Sequence, residues 1–204
     1  MGQHVLLLGA SGTIGRATAR ALILAGHSVT ALLRHGAAAP EGCTVIRGTV
    51  TDPAALGQAM QTRPDAVVSC IASRSGSPAD ARAVDRDANS AALRAALAAG
   101  VTRFVLLSAI CVQKPLLPFQ RAKLEFEAEL QAAPLRWTII RPTAFFKSLS
   151  GQVARVAAGR AFLVFGDGRI VGELTWHAGG AQVGREDLRE AEALRSLRRE
   201  KGVA

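Results

Sequence analysis

The sequence predicts an α/β fold, a doubly wound parallel sheet with helices on both faces, and three observations predict it. Short apolar runs alternate with helical patterns along most of the chain, as strands joined by crossover helices require. The first run, Val5 to Leu8, is apolar at every position and ends in glycine, as a strand buried on both faces does. Directly after it, Gly9-Ala10-Ser11-Gly12-Thr13-Ile14-Gly15 carries the glycine spacing of a Rossmann-type strand-to-helix turn that cradles a diphosphate.

The remaining elements follow in order. Ile14, Ala17, Ala21, Leu22 and Ala25 share one helical face, and Gly26 is a C-terminal stop. Val29 to Leu33 reads as the second strand, and Val45 and Ile46 as a short third. Asp52-Pro53 then reads as an N-cap with proline at the first helical position. Ala66 to Ile71 is the fourth strand, an alanine-rich helix runs from about Asp80 to Ala99 and closes at Gly100, and Phe104 to Leu107 is the fifth strand. A helix around Lys123 and a strand over Thr138 to Ile140 complete the alternation. From Arg169 onward the text is Gly, Ala, Arg and Glu with Trp176 and His177 isolated; only Leu188, Ala191, Leu194 and Leu197 hint at a helix. The expected organisation is a nucleotide-binding domain over residues 1–168, including the start of a substrate region, and an atypical, poorly ordered tail over 169–204.

Composition narrows the function classes. A chain of 204 residues that is 49% hydrophobic buries enough surface for one full domain. The first residues show no basic start or cleavage site, and the apolar runs fall short of the roughly 18 residues of a membrane span. A soluble, cytoplasmic chain without an integral membrane segment is expected. Cys43, Cys70 and Cys111 are widely spaced and lack CxxC or His-linked spacing, which excludes a disulfide framework and a metal site. The net charge of +9 calls for an anionic partner, and arginines scattered singly, without a basic run interleaved with aromatics, favour a small molecule over nucleic acid.

The glycine turn assigns the first site residues. Gly9 makes the tight turn, Gly12 lets the backbone approach a diphosphate, and Gly15 lets helix pack on strand. The helix N-terminus at Thr13 and Ile14 then faces the anion, and the hydroxyls of Ser11 and Thr13 add hydrogen bonds. At the end of the second strand an acidic residue would bind the ribose of NAD, whereas an arginine accommodates the 2′-phosphate of NADP. Here Arg34 stands, followed by His35, with no carboxylate before Glu41, so NADP(H) is the expected cofactor. Asp52 reads two ways, as a ligand of the adenine or only as a helix cap. Ligands lie outside the carboxyl ends of such strands, which places Cys70-Ile71-Ala72-Ser73 and Ser108 to Val112 beside the nicotinamide, with Ala72 and Ser108 as contacts.

The architecture resembles the short-chain dehydrogenases, in which a serine after the fifth strand precedes a Tyr-x-x-x-Lys pair that protonates a carbonyl oxygen. This chain contains no tyrosine, and the matching text is Phe119-Gln120-Arg121-Ala122-Lys123. Lys123 reads either as a ligand of the nicotinamide ribose or as a solvated helix lysine. Without the phenol, hydride transfer to a conjugated C=C bond fits better than carbonyl reduction, because it needs positioning more than an acid.

Longer blocks carry a narrower resemblance. Ser69-Cys70-Ile71-Ala72-Ser73-Arg74, Leu106 to Pro115, Ile140 to Gln152 and Phe165-Gly166-Asp167-Gly168 together resemble the divinyl chlorophyllide 8-vinyl reductases, in collinear order over about the first 168 residues. The resemblance implies NADPH-dependent reduction of the 8-vinyl group of a divinyl (proto)chlorophyllide, in chlorophyll or bacteriochlorophyll synthesis. A tetrapyrrole bearing a propionate would welcome Lys114, Arg141 and Lys147, and Phe119, Phe145 and Phe146 would stack on its macrocycle. The bland readings are core phenylalanines and an arginine that merely ends a strand. Cys111 reads as a proton donor or as a buried small hydrophobe. Members of that family continue past the Phe165–Gly168 block with elements that close the substrate cleft, and Arg169 to Ala204 does not resemble them. Its Ala, Gly and Arg content fits a truncated or frame-shifted reading frame from GC-rich DNA. Two other functions compete: a non-catalytic NADP-binding sensor, and another C=C or quinone reductase.

Overall fold

The computed structural model describes residues 2–142, 144–145, 150–160 and 174–175. The expected alternation is realised as β1 (His4–Leu8), α1 (Thr13–Leu24), β2 (Ser28–Leu33), β3 (Thr44–Arg47), α2 (Pro53–Gln61) and β4 (Ala66–Ser69). A continuous helical run follows, made of α3 (Pro78–Ala81), a π-helical stretch (Arg82–Ala88) and α4 (Asn89–Ala98). Then come β5 (Arg103–Leu107), α5 (Pro118–Gln131), β6 (Arg136–Ile140), β7 (Ala144–Phe145), α6 (Ser150–Ala157) and β8 (Leu174–Thr175).

β1 to β6 form one parallel sheet in the order β3-β2-β1-β4-β5-β6. The order reverses between β1 and β4, where Leu8 pairs with Ser69. In sheets of this kind ligands bind in the crevice outside the carboxyl ends of the strands at such a switch point. Alternation along each strand divides the core in two. Leu6, Leu8, Leu32, Phe104 and Leu106 pack with Leu56, Leu93, Phe126 and Leu130 of α2, α4 and α5. Leu7, Ala31 and Leu33 pack with Ala19 of α1 on the opposite face. Phe104 and Phe126 meet edge to face, with ring centroids 5.9 Å apart, and so hold α5 on β5.

Three elements differ from the sequence expectation. β4 ends at Ser69 rather than Ile71: Cys70 still donates its N–H to the Leu8 carbonyl at 2.9 Å, and the chain then turns out of the sheet beside Gly9. The helix expected from Asp80 starts at Pro78, because the Ser77 hydroxyl caps it by accepting from the Asp80 N–H at 3.2 Å, and its middle is a π stretch that apolar periodicity does not signal. In the stretch given no place in the core, Leu174–Thr175 pairs in parallel with Ala144–Phe145, a two-stranded pairing separate from the main sheet. The rest of the stretch from Arg169 lies outside the described residues.

Candidate functional site

The glycine turn connects β1 to α1 at the switch point. Gly9 has φ +79°, and a methyl group on it would lie 2.7 Å from the Cys70 carbonyl. A Cβ on Gly15 would meet the Gly9 carbonyl oxygen at 2.1 Å, so neither position admits a side chain. Gly12 differs: the nearest atom to a Cβ there is the Gly9 oxygen at 3.3 Å. Its free side therefore faces away from the protein. Gly12 is also the N-cap of α1, with no capping side chain and no acidic residue in the first turn. The N-terminus of α1 opens onto this turn, an end that favours an anion, with Ser11 half-buried and Thr13 exposed beside it. The cradle fits a dinucleotide diphosphate.

Three arginines gather around the chain that leaves β2. Arg34 is exposed just past β2. Arg47, at the end of β3, donates to the carbonyls of Arg34 at 3.2 Å and Ala37 at 2.7 Å. Arg16 donates through Nε to the Ser11 carbonyl at 3.1 Å and through its terminal nitrogen to that of Ala38 at 3.4 Å. Sequence reasoning singled out Arg34 alone. Arg47 had a legible signal, since its position at the end of the neighbouring strand follows from β2–β3 pairing, which sets it opposite Leu33. Of the two readings of Asp52 the cap is the one present: Oδ1 accepts from the Ala54 N–H at 2.9 Å.

At the other end of the crevice Lys123 is no solvated helix lysine. Its side chain is 5% exposed, its Nζ lies 3.1 Å from Asp85 Oδ1, and it donates to the Leu107 carbonyl at 3.3 Å. Asp85, on the π stretch, also accepts from the Ser73 N–H at 3.4 Å. Behind it the Ser69 hydroxyl donates to Asn89 Oδ1 at 2.5 Å, and Asn89 Nδ2 donates to the Asp85 carbonyl at 3.0 Å. Burial pushes the Cys70 thiol up, offset in part by a hydrogen bond from Thr18 and by the Lys123 charge. Ala72 is exposed on the same loop. The buried Ser108 hydroxyl has no hydrogen-bond partner among the described residues, while its N–H is tied to the Ile140 carbonyl at 2.7 Å. Asp85 and Asn89 went unnoticed in the sequence, because a polar residue on an alanine-rich helix reads as a solvated one, and Ser69 was quoted only within a block of resemblance.

The substrate candidates are more scattered. Lys114 is exposed in the loop after β5, and Phe119 is half-buried in the first turn of α5. Arg141 is bound by the buried Glu127, which accepts from Nε at 3.1 Å and from a terminal nitrogen, and this bonding raises the guanidinium pKa further. Its charge is already matched within the protein. Cys111 is exposed with φ +65°, not buried. Phe145 belongs to β7, whereas Phe146, Lys147 and the Phe165–Gly168 block lie outside the described residues. No cluster of three or more His, Cys, Asp or Glu able to hold a metal occurs among the described residues, and no helix there is long and apolar enough to cross a membrane.

A parallel sheet in this order, with a glycine cradle at its switch point, defines a Rossmann-type nucleotide-binding protein. Residues 9–169 match the family described as NAD(P)H-binding, and the chain belongs to that family; its cofactor class is a nicotinamide dinucleotide. A divinyl chlorophyllide a 8-vinyl-reductase of Zea mays, named chloroplastic, is 45% identical over 185 residues, covering 81% of this chain and 46% of that protein. Its counterpart from Arabidopsis thaliana is 41% identical over 188 residues, covering 82% and 45%. The photosystem II assembly factor Ycf39 of Synechocystis is 32% identical over 157 residues, covering 74% and 48%. The chain thus spans about half the length of the curated relatives it matches. Among solved structures, UDP-glucose 4-epimerase of Thermus thermophilus in complex with NAD superposes with a TM-score of 0.72 at 21% identity, covering 94% of this chain and 73% of that one, which is a likeness of fold.

Proposed function

We propose that this chain binds NADP(H) and supports reduction of the 8-vinyl group of a divinyl chlorophyllide or protochlorophyllide to an ethyl group. The observation that carries this reading is the acid missing where carbonyl reduction needs one. Lys123 is buried at the end of β5, and Phe119 stands four residues before it where the carbonyl-reducing relatives have tyrosine. The cofactor, when bound, supplies the hydride. The chain's own residues hold it: the Gly9–Gly15 turn and α1 receive the diphosphate, Arg34 with Arg16 and Arg47 faces the 2′-phosphate, and Ala72, Ser108 and Lys123 border the nicotinamide ribose. Phe119 offers an apolar wall to the vinyl group and Lys114 a cation to the propionate, with Phe145, Phe146 and Lys147 assigned to the macrocycle and Arg141 held back by Glu127. The three free cysteines support a reducing, cytoplasmic compartment.

The test is anaerobic incubation with NADPH and divinyl chlorophyllide, following the Soret band. A blue shift as the vinyl group leaves conjugation is the expected result. NADPH binding without a shift would favour the second reading, a non-catalytic NADP-binding module, which the similarity to the photosystem II assembly factor supports.

A further inference from the structure

Among the described residues two carboxylates are deeply buried, Glu127, which holds Arg141, and Asp85, which pairs with Lys123 and which nothing in the proposed chemistry yet uses. It is 1% exposed and sits in the π stretch that interrupts the helical run Pro78–Ala98. π stretches inside α-helices are rare and are found frequently at functional sites. Its two oxygens reach two different loops. Oδ1 is paired with Lys123 of α5, which in turn bonds the last carbonyl of β5, and Oδ2 accepts from Ser73 in the loop after β4. Asn89, one turn on, binds the Asp85 carbonyl and also Ser69 at the end of β4, so the carboxylate is held from behind. A buried ion pair of this kind is weak support for stability, because apolar residues of similar volume hold a core at least as well.

We propose that Asp85 is a positioning residue for the nicotinamide half of the cofactor. Resting on the nucleotide-binding reading above, this means that Asp85 fixes the Lys123 ammonium and the Ser73 amide together, and so sets the spacing of the loops after β4 and β5 between which the nicotinamide ribose sits. It touches neither cofactor nor substrate. It acts through Lys123 and Ser73.

The test compares two probes on the full chain: NADPH, and adenosine 2′,5′-bisphosphate, which has the adenine end and no nicotinamide. Asp85→Asn keeps the shape of the side chain and removes its charge. NADPH affinity should fall by roughly tenfold, the worth of one charge-assisted contact, while bisphosphate affinity stays within about twofold. Because Asp85→Asn leaves Lys123 buried without a counter-ion, a second variant, Asp85→Asn with Lys123→Met, removes both charges. It should recover the melting temperature, which separates the cost of the unpaired Lys123 charge from the loss of NADPH affinity. Recovery of NADPH affinity along with the melting temperature would show a merely structural pair and overturn the proposal. So would equal losses for both probes, or no loss for either. A wild-type chain that binds neither probe would overturn the nucleotide-binding reading itself, and this proposal with it.

Discussion

Gly12 and Gly15 stand three residues apart in one turn, yet a methyl group on each meets different surroundings. On Gly15 it strikes backbone at 2.1 Å, and on Gly12 it meets nothing closer than 3.3 Å. Gly15→Ala should therefore cost about 1–3 kcal/mol of stability as well as cofactor binding, as overpacking does. Gly12→Ala should leave stability within about 0.5 kcal/mol and still abolish NADPH binding, since in the proposed binding mode the added methyl stands in the path of the diphosphate. Denaturant melts and NADPH titrations on both variants check this, and an unimpaired Gly12→Ala would mean the diphosphate lies elsewhere. At the adenosine end, Arg34→Gln should lower the preference for NADPH over NADH by about tenfold or more, because in the proposed binding mode the guanidinium pairs with the 2′-phosphate, which NADH lacks. Equal losses for both cofactors would place Arg34 outside the 2′-phosphate site. The cysteines make a third case. Burial keeps the Cys70 thiol protonated to higher pH than usual, whereas Cys111 is exposed. Iodoacetamide at mildly alkaline pH should alkylate Cys111 well before Cys70, as read by peptide mass spectrometry.

The elements carry those residues into place, and two of them can be tested directly. α5 is clamped to β5 by Phe126 against Phe104, and Lys123 lies one turn before Phe126 on that helix. Phe126→Ala should destabilise the domain by about 3–5 kcal/mol, the cost of a large cavity in a packed core, measurable by urea unfolding. The loop between β4 and α3 is held differently. Asp80 accepts from the Arg74 and Ser75 N–H groups at 2.9 Å each, which lowers its carboxyl pKa below the ordinary value. Its folded pKa lies below its unfolded one, so its contribution is present above the ordinary carboxylate range and is lost as pH falls through the folded value. In Asp80→Asn the Arg74 and Ser75 amides should exchange faster with solvent at neutral pH, and the difference from the wild type should vanish only as the pH falls below the ordinary carboxylate value, through the lowered folded pKa. Persistence of the difference in acid would rule out the carboxylate as its cause. Sequence reading recovered β1, α1, β2, β3 and the Asp52 cap of α2 to within a residue or two, because those signals are local: apolar runs, glycine stops, a capping aspartate before proline. It missed the π stretch, for the register of a helix interior depends on what the far side of the helix packs against.

For the molecule as a whole, the excess of positive charge and the glycine turn at the switch point of the sheet both fit an anionic dinucleotide. Saturating NADPH at about a hundred times its dissociation constant should add about 2.7 kcal/mol, a rise in melting temperature of roughly 5–10 °C for a domain of this size. No rise would separate this chain from its family in function. By itself the sequence determined the parallel alternation, the diphosphate turn, the arginine at the end of β2 and the missing phenol, because each is a matter of residue type and short-range spacing. Only the tertiary structure decided which charges are already matched. Lys123 is paired with Asp85 across 38 positions of chain and Arg141 with Glu127 across 14. Ion pairs of that kind depend on which helix crosses which strand, and desolvation makes their partners obligatory; no local pattern in the chain records that choice.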